Sequence, residues 1–194
     1  MLSQAVGIVL GVHACFLPFL WCFKSAPFCP STSTTVSTFI KICNDFVASQ
    51  RISPDRVKVV DLGSGSGTVL FAAAKQGFCS VGYERNPWLV AWTRAKIKTQ
   101  GLSSLVRIYR QSLFSADLSD VNIVYFFAVP SMLSDLERKL DDDLPINRPV
   151  LVVSNGFSLP NWKYQQLKKG LYIYLREPKT TKVESEKNMK DIFQ

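Results

Sequence analysis

The residues best able to hold a ligand lie in one short run, Asp61-Leu62-Gly63-Ser64-Gly65-Ser66-Gly67, with a second acid, Glu84, 19 positions beyond Gly65. Glycines at alternate positions let the chain turn sharply and let a ligand approach the backbone where a Cβ would collide. An acid at the end of a second strand can accept hydrogen bonds from the hydroxyls of a ribose. These types at this spacing suit a ligand that carries a nucleoside. The dinucleotide fingerprint Gly-x-Gly-x-x-Gly is excluded by spacing, because after Gly63 and Gly65 its third glycine falls on Thr68. Glu84 does not choose between nucleoside cofactors, since dinucleotide sites place an acid at a similar position.

The elements that must hold these residues can be read on either side of them. Val57-Lys58-Val59-Val60 is a β-branched run that ends in Asp61, and residues 68–76 read as a helix closed by Gly77. Strand, glycine turn and helix open a doubly wound α/β domain, whose ligands lie at the carboxyl ends of the strands. Residues 78–83 form a second strand that delivers Glu84. Asn86 is a natural N-cap and Pro87 a natural first helical residue, so a helix runs from there to about Gln100. Trp88 and Trp92 are four apart and share a face of it, which reads as core. Further strands are predicted at 106–109, 121–127, 149–154 and 171–175, with a helix over 130–140 and a solvated acid run at Asp141-Asp142-Asp143. The fourth of these six strands is apolar enough to be buried on both faces. Ahead of the first strand, Val36, Phe39, Ile40, Cys43, Phe46 and Val47 recur at helical spacing and should pack on the sheet.

A length of 194 residues suits one domain with short additions. Five scattered cysteines form no Cys-x-x-Cys pair, and with a single histidine no metal site is expected. The net charge of +8 raises the question of nucleic acid, but the bases are dispersed and form no aromatic-basic strip, so no nucleic-acid partner is expected. Residues 5–23 are apolar apart from His13 and long enough to cross a bilayer. The absence of a positive n-region argues against a cleaved signal peptide, and a buried helix would be apolar on every face, so 1–25 reads as a membrane anchor. Pro27 and Pro30 make a stiff connector. The domain is expected over 26–178, and the charged, apolar-poor residues 179–194 read as a mobile tail.

The Asp61-x-Gly63-x-Gly65-x-Gly67 pattern resembles motif I of the class I methyltransferases, which bind S-adenosylmethionine. Longer strings are more specific: Pro27-Phe28-Cys29-Pro30, Ala72-Ala73-Ala74-Lys75-Gln76-Gly77-Phe78, Gly82-Tyr83-Glu84-Arg85-Asn86-Pro87-Trp88-Leu89-Val90 and Val129-Pro130-Ser131-Met132. Over roughly 27–174 the chain is similar to a small family of membrane-anchored mitochondrial protein-lysine methyltransferases, which modify the adenine nucleotide translocase and the ATP synthase c-subunit. The resemblance implies an α/β, Rossmann-like class I methyltransferase sheet of the seven-strand type, with helices on both faces and an N-terminal hydrophobic helix before it. It implies S-adenosylmethionine as cofactor, held by Asp61, Gly63, Ser64, Gly65, Gly67, Glu84, Asn86 and Ser112. A substrate cleft is expected along Phe28, Pro30, Phe127, Val129 and Pro130. The implied activity is methyl transfer to a lysine of a mitochondrial membrane protein, with the enzyme held in the inner membrane through 5–23.

The chain departs from the family at three places. Ser66 and Thr68 replace an aspartate and an arginine, and Ser112 stands where an aspartate usually accepts from the adenine amino group. These departures support an alternative, a catalytically silent methyltransferase-like module tethered to the membrane. The strand-four exit, Phe127-Ala128-Val129-Pro130, lacks the (Asn/Asp)-Pro-Pro-(Tyr/Phe) motif of nucleic-acid amino-methyltransferases. No general base stands out, since the methyl donor is already activated.

Overall fold

The computed structural model describes residues 31–178. The expected anchor over 1–25, the cleft residues Phe28 and Pro30, and the tail over 179–194 lie outside the described residues. Among the described residues no helix is long and apolar enough to cross a membrane.

The first helix, α1 (Ser33–Ser49), starts at Thr32, whose hydroxyl accepts from the Thr35 N–H. Its apolar stripe buries Val36, Phe39, Cys43, Phe46 and Val47 against the sheet, as the spacing predicts, but the sixth buried apolar residue is Ile42, while the expected Ile40 is only half-buried. There follow β1 (Lys58–Leu62), α2 (Thr68–Ala74), β2 (Cys79–Glu84), α3 (Pro87–Thr99), β3 (Val106–Arg110), β4 (Ile123–Phe126), α4 (Pro130–Asp143), β5 (Val150–Asn155), β6 (Gln166–Lys168) and β7 (Leu171–Arg176). The seven strands pair in the order β3-β2-β1-β4-β5-β7-β6. The first five in sequence run parallel, and β7 lies antiparallel between β5 and β6.

Strand register sorts the two faces of the sheet. Val59, Asp61, Ser80, Gly82, Val106, Ile108 and Tyr125 fall on one face, covered by α1, α2 and α3. Val60, Leu62, Val124, Phe126, Val152 and Tyr174 fall on the other, covered by Leu133, Leu136 and Leu140 of α4. The expected α/β sheet with helices on both faces is therefore present. Strand order reverses between β1 and β4, which puts a ligand crevice at their carboxyl ends.

Three sequence expectations need correction. Trp88 and Trp92 are not core: they are 72% and 59% exposed. The helix turns Val90, Thr93 and Ile97 inward, so the shared face of the tryptophans is the outer one. The acid run is not simply solvated, because α4 continues through it. Asp141 accepts from Arg176 Nη1 at 2.6 Å, and Asp143 pairs with Lys139 one turn earlier. A seventh strand, β6, has no apolar run to announce it. It forms as a hairpin arm on β7 around Lys169 and Gly170, both at positive φ (51° and 78°), the geometry of a tight two-residue turn.

Candidate active site

Asp61 closes the buried half of β1. The residue is 3% exposed, and its carboxyl accepts no hydrogen bond from a described residue. Burial, with the charge of nearby Glu84 adding to it, pushes its pKa up to about 8. The chain then reverses through Gly63 and Ser64, whose N–H groups both donate to the Tyr83 carbonyl, at 2.9 and 3.0 Å. Gly63 has φ +94°, and nothing lies within 4 Å of where its Cβ would stand, so the space beside it is open. Gly67 is glycine for a different reason: a Cβ there would meet Thr93 Cγ2 at 2.8 Å. The first glycine leaves room for a ligand, and the last lets α2 sit close to α3.

Glu84, at the end of β2, holds this turn in place. One carboxylate oxygen accepts from the Gly65 N–H at 2.9 Å, and the other from the Asn86 N–H at 2.7 Å. A carboxylate offers about four acceptor positions, so each oxygen keeps capacity for a further donor such as a ribose hydroxyl. Ser64 Oγ is buried and has no partner among the described residues. An unsatisfied buried hydroxyl is costly, and here it lies in the glycine turn itself. The open space at Gly63 and the spare acceptors of Glu84 fit a polar nucleoside ligand, whereas the Ser64 hydroxyl is packed against Gly82 of β2.

The remaining expected contacts divide in two. Asn86 spends its Oδ1 on the α3 N-terminus, accepting from the Trp88 N–H at 3.0 Å, which leaves its amide nitrogen as a donor. Ser112 stands beside the Glu84 rim, because the preceding Gln111 N–H donates to the Glu84 carbonyl at 3.1 Å. Its hydroxyl accepts from the Phe114 N–H at 3.4 Å and starts a single 3-10 turn. Phe127, Val129 and Pro130 lie together at the exit of β4, on the other side of β1 from Glu84. Phe127 is half-buried, with its ring centroid 6.4 Å from that of Phe157.

Two residues near Asp61 escaped the sequence reading. Tyr125 of β4 sits in register with Asp61, and its hydroxyl is 2.7 Å from Ser31 Oγ. Burial pushes the Tyr125 pKa up to about 12, against the opposing hydrogen bond from Ser31. The signal available in the sequence was a hydroxyl-bearing side chain inside an otherwise apolar strand.

A family model described as the ANTKMT methyltransferase domain matches residues 61–166, from Asp61 to the start of β6. The lysine N-methyltransferase of the ATP synthase c-subunit from Xenopus laevis is 36% identical over 136 residues, covering 70% of this chain and 55% of that protein. The adenine nucleotide translocase lysine N-methyltransferase of Mus musculus is 42% identical over 107 residues, covering 55% of this chain and 46% of that protein. The chain thus spans about half the length of either relative. Among solved structures, an RNA methyltransferase from Salinibacter ruber in complex with S-adenosyl-L-homocysteine superposes with a TM-score of 0.63 at 27% identity, covering 79% of this chain and 96% of that chain. The family match takes in Asp61, the glycine turn, Glu84 and more than half of the sequence, and the chain belongs to the ANTKMT methyltransferase domain family.

Proposed function

We propose that this chain is an S-adenosylmethionine-dependent protein-lysine N-methyltransferase whose substrate is a lysine of a mitochondrial inner-membrane protein. The observation that carries the reading is the arrangement of Asp61 and Glu84 on either side of a glycine turn, at the crevice where the strand order reverses. Support for the substrate class comes from the relatives, which are named for the ATP synthase c-subunit and the adenine nucleotide translocase. Residues 5–23 hold the protein in that membrane, ahead of a catalytic domain over 26–178 and a tail over 179–194.

Bound S-adenosylmethionine supplies a methyl group already activated on a sulfonium. The work left to the chain is binding, orientation and exclusion of water. Glu84 accepts from the ribose hydroxyls with the capacity left over from Gly65 and Asn86. Ser112 reaches the adenine, and the Gly63 opening admits the ligand beside the backbone. Asp61 is protonated near neutral pH, and a positive charge arriving in the cleft favours its carboxylate, so Asp61 releases a proton as the cofactor binds. Phe127, Val129 and Pro130, joined by Phe28 and Pro30, form an apolar wall. Such surroundings lower the pKa of an incoming lysine and favour its neutral, nucleophilic form.

Isothermal titration with S-adenosylmethionine and S-adenosylhomocysteine tests the cofactor reading. Heat is expected from both ligands, and Glu84→Ala should weaken each by roughly 1.5–3 kcal/mol, the worth of hydrogen bonds to a charged group. A folded wild-type chain that gives no heat with either ligand would be the silent module instead.

A further inference from the structure

The α3 face that the fold leaves outside has an unusual composition. Trp88, Ala91, Trp92, Ala95, Lys98 and Thr99 are all exposed and recur at intervals of three and four, a stripe opposite the buried Val90, Thr93 and Ile97. Two tryptophans on the water side of a helix are an apolar surface with nothing packed on it among the described residues. The charge around them is one-sided. From Arg85 to Ala116 the chain carries six bases (Arg85, Arg94, Lys96, Lys98, Arg107 and Arg110) and no acid. Among the described residues none of the six forms an ion pair. Lys96 lies over the Phe71 ring at 4.7 Å, and Arg94 donates to the Ile108 carbonyl at 3.4 Å. Arg85, Lys98 and Arg110 are exposed. By strand alternation Arg110 shares the α3 side of β3 with Val106 and Ile108.

The geometry points to this outer face of α3 as a surface that lies on an anionic phospholipid bilayer. Tryptophan favours the headgroup level, where its ring is buried and its N–H stays hydrated. A helix that presents aromatic residues beside bases lies in the interface plane, and each base near an anionic leaflet adds to the attraction. A second copy of the chain is the poorer occupant, because pairing this face with itself would set like charges against one another. The stripe begins four residues after Glu84, so the docked helix holds the mouth of the cleft at bilayer level. Where the domain rests does not depend on whether it transfers a methyl group.

The test uses the full chain carrying Trp21→Phe and Trp162→Phe, in which Trp88 and Trp92 are the only tryptophans, so the tryptophan emission cannot come from residues 5–23. On vesicles of phosphatidylcholine and phosphatidylserine with brominated acyl chains, emission should shift to the blue and be quenched. The quenched fraction should fall several-fold in Lys98→Glu combined with Arg110→Glu, and about half of it should vanish in Trp92→Ala. Unquenched, water-like emission on these vesicles would overturn the proposal. Equal quenching on pure phosphatidylcholine would do the same, as would a lipid-free blue shift that grows with protein concentration. Hydrogen exchange over Pro87–Thr99 in the unsubstituted chain gives a second readout: anionic vesicles should slow it, and no change would count against the surface.

Discussion

At the scale of single residues, Asp61 combines the most burial with the most chemistry. Its folded pKa of about 8 lies above the unfolded aspartate value of about 3.9. Between those two values the native state holds a proton that the unfolded state lacks, so stability falls as pH rises across that window. Asp61→Asn has no such proton, and its melting temperature should decline less than that of the wild type between about pH 5 and about pH 8. Parallel slopes would mean that Asp61 is ionised in the native protein. The same carboxyl predicts that affinity for S-adenosylmethionine rises with pH until about pH 8, whereas that for S-adenosylhomocysteine, which lacks the sulfonium charge, rises less. Ser112 offers the complementary experiment. Ser112→Asp restores an anionic acceptor on the rim beside Glu84, and should tighten both ligands by up to about 1 kcal/mol, the gap between charged and neutral hydrogen bonds. Loss of affinity for both, at an unchanged melting temperature, would place the adenine elsewhere. The placement of Asp61 and Glu84 near the ends of β1 and β2, with the glycine turn after β1, was legible in the sequence because their spacing fits a strand, turn and helix. Tyr125 was not, since only strand register brings it to Asp61.

At the scale of elements, the first strand, the glycine turn and the second strand act as one unit. Gly82 shows how tightly they are joined: a Cβ there would lie 2.5 Å from Ser64 Oγ and 2.6 Å from Leu70 Cδ1. Gly82→Ala should therefore cost about 1–3 kcal/mol by overpacking and should displace the turn. Ser64→Gly, which removes one of the two colliding groups, should recover part of that loss in the double variant, a coupling that a thermal double-mutant cycle reads. Strictly additive effects would mean the strain is relieved at Leu70 alone. Helices α1 and α3 were legible from periodicity, caps and proline placement. Spacing of four placed Trp88 and Trp92 on one face but could not say which face, because that depends on how Val90 and Ile97 meet the sheet. Strand β6 carried no local signal at all, since two exposed residues and the half-buried Lys168 become a strand only through the turn that folds them onto β7.

At the scale of the whole molecule, five parallel strands and a reversed hairpin place every expected cofactor contact near the carboxyl ends of β1, β2 and β3, and the β4 exit beside them. Among the described residues, three helices cover the Asp61 face and one covers the other. The crevice expected from strand order therefore lies at the carboxyl ends of β1 and β4. The order of the elements from β1 to α3 was readable because the glycine turn, the Glu84 acid and the capped α3 belong to one continuous α/β pattern. The central claim is methyl transfer to lysine, and mass spectrometry of mitochondrial inner-membrane proteins incubated with the full chain and isotope-labelled S-adenosylmethionine tests it most directly. Labelled methyl on a lysine with wild-type protein, sharply reduced with Glu84→Ala, is the result the account predicts. No labelled lysine, from a chain that binds the cofactor and faces a full set of membrane proteins, would contradict it.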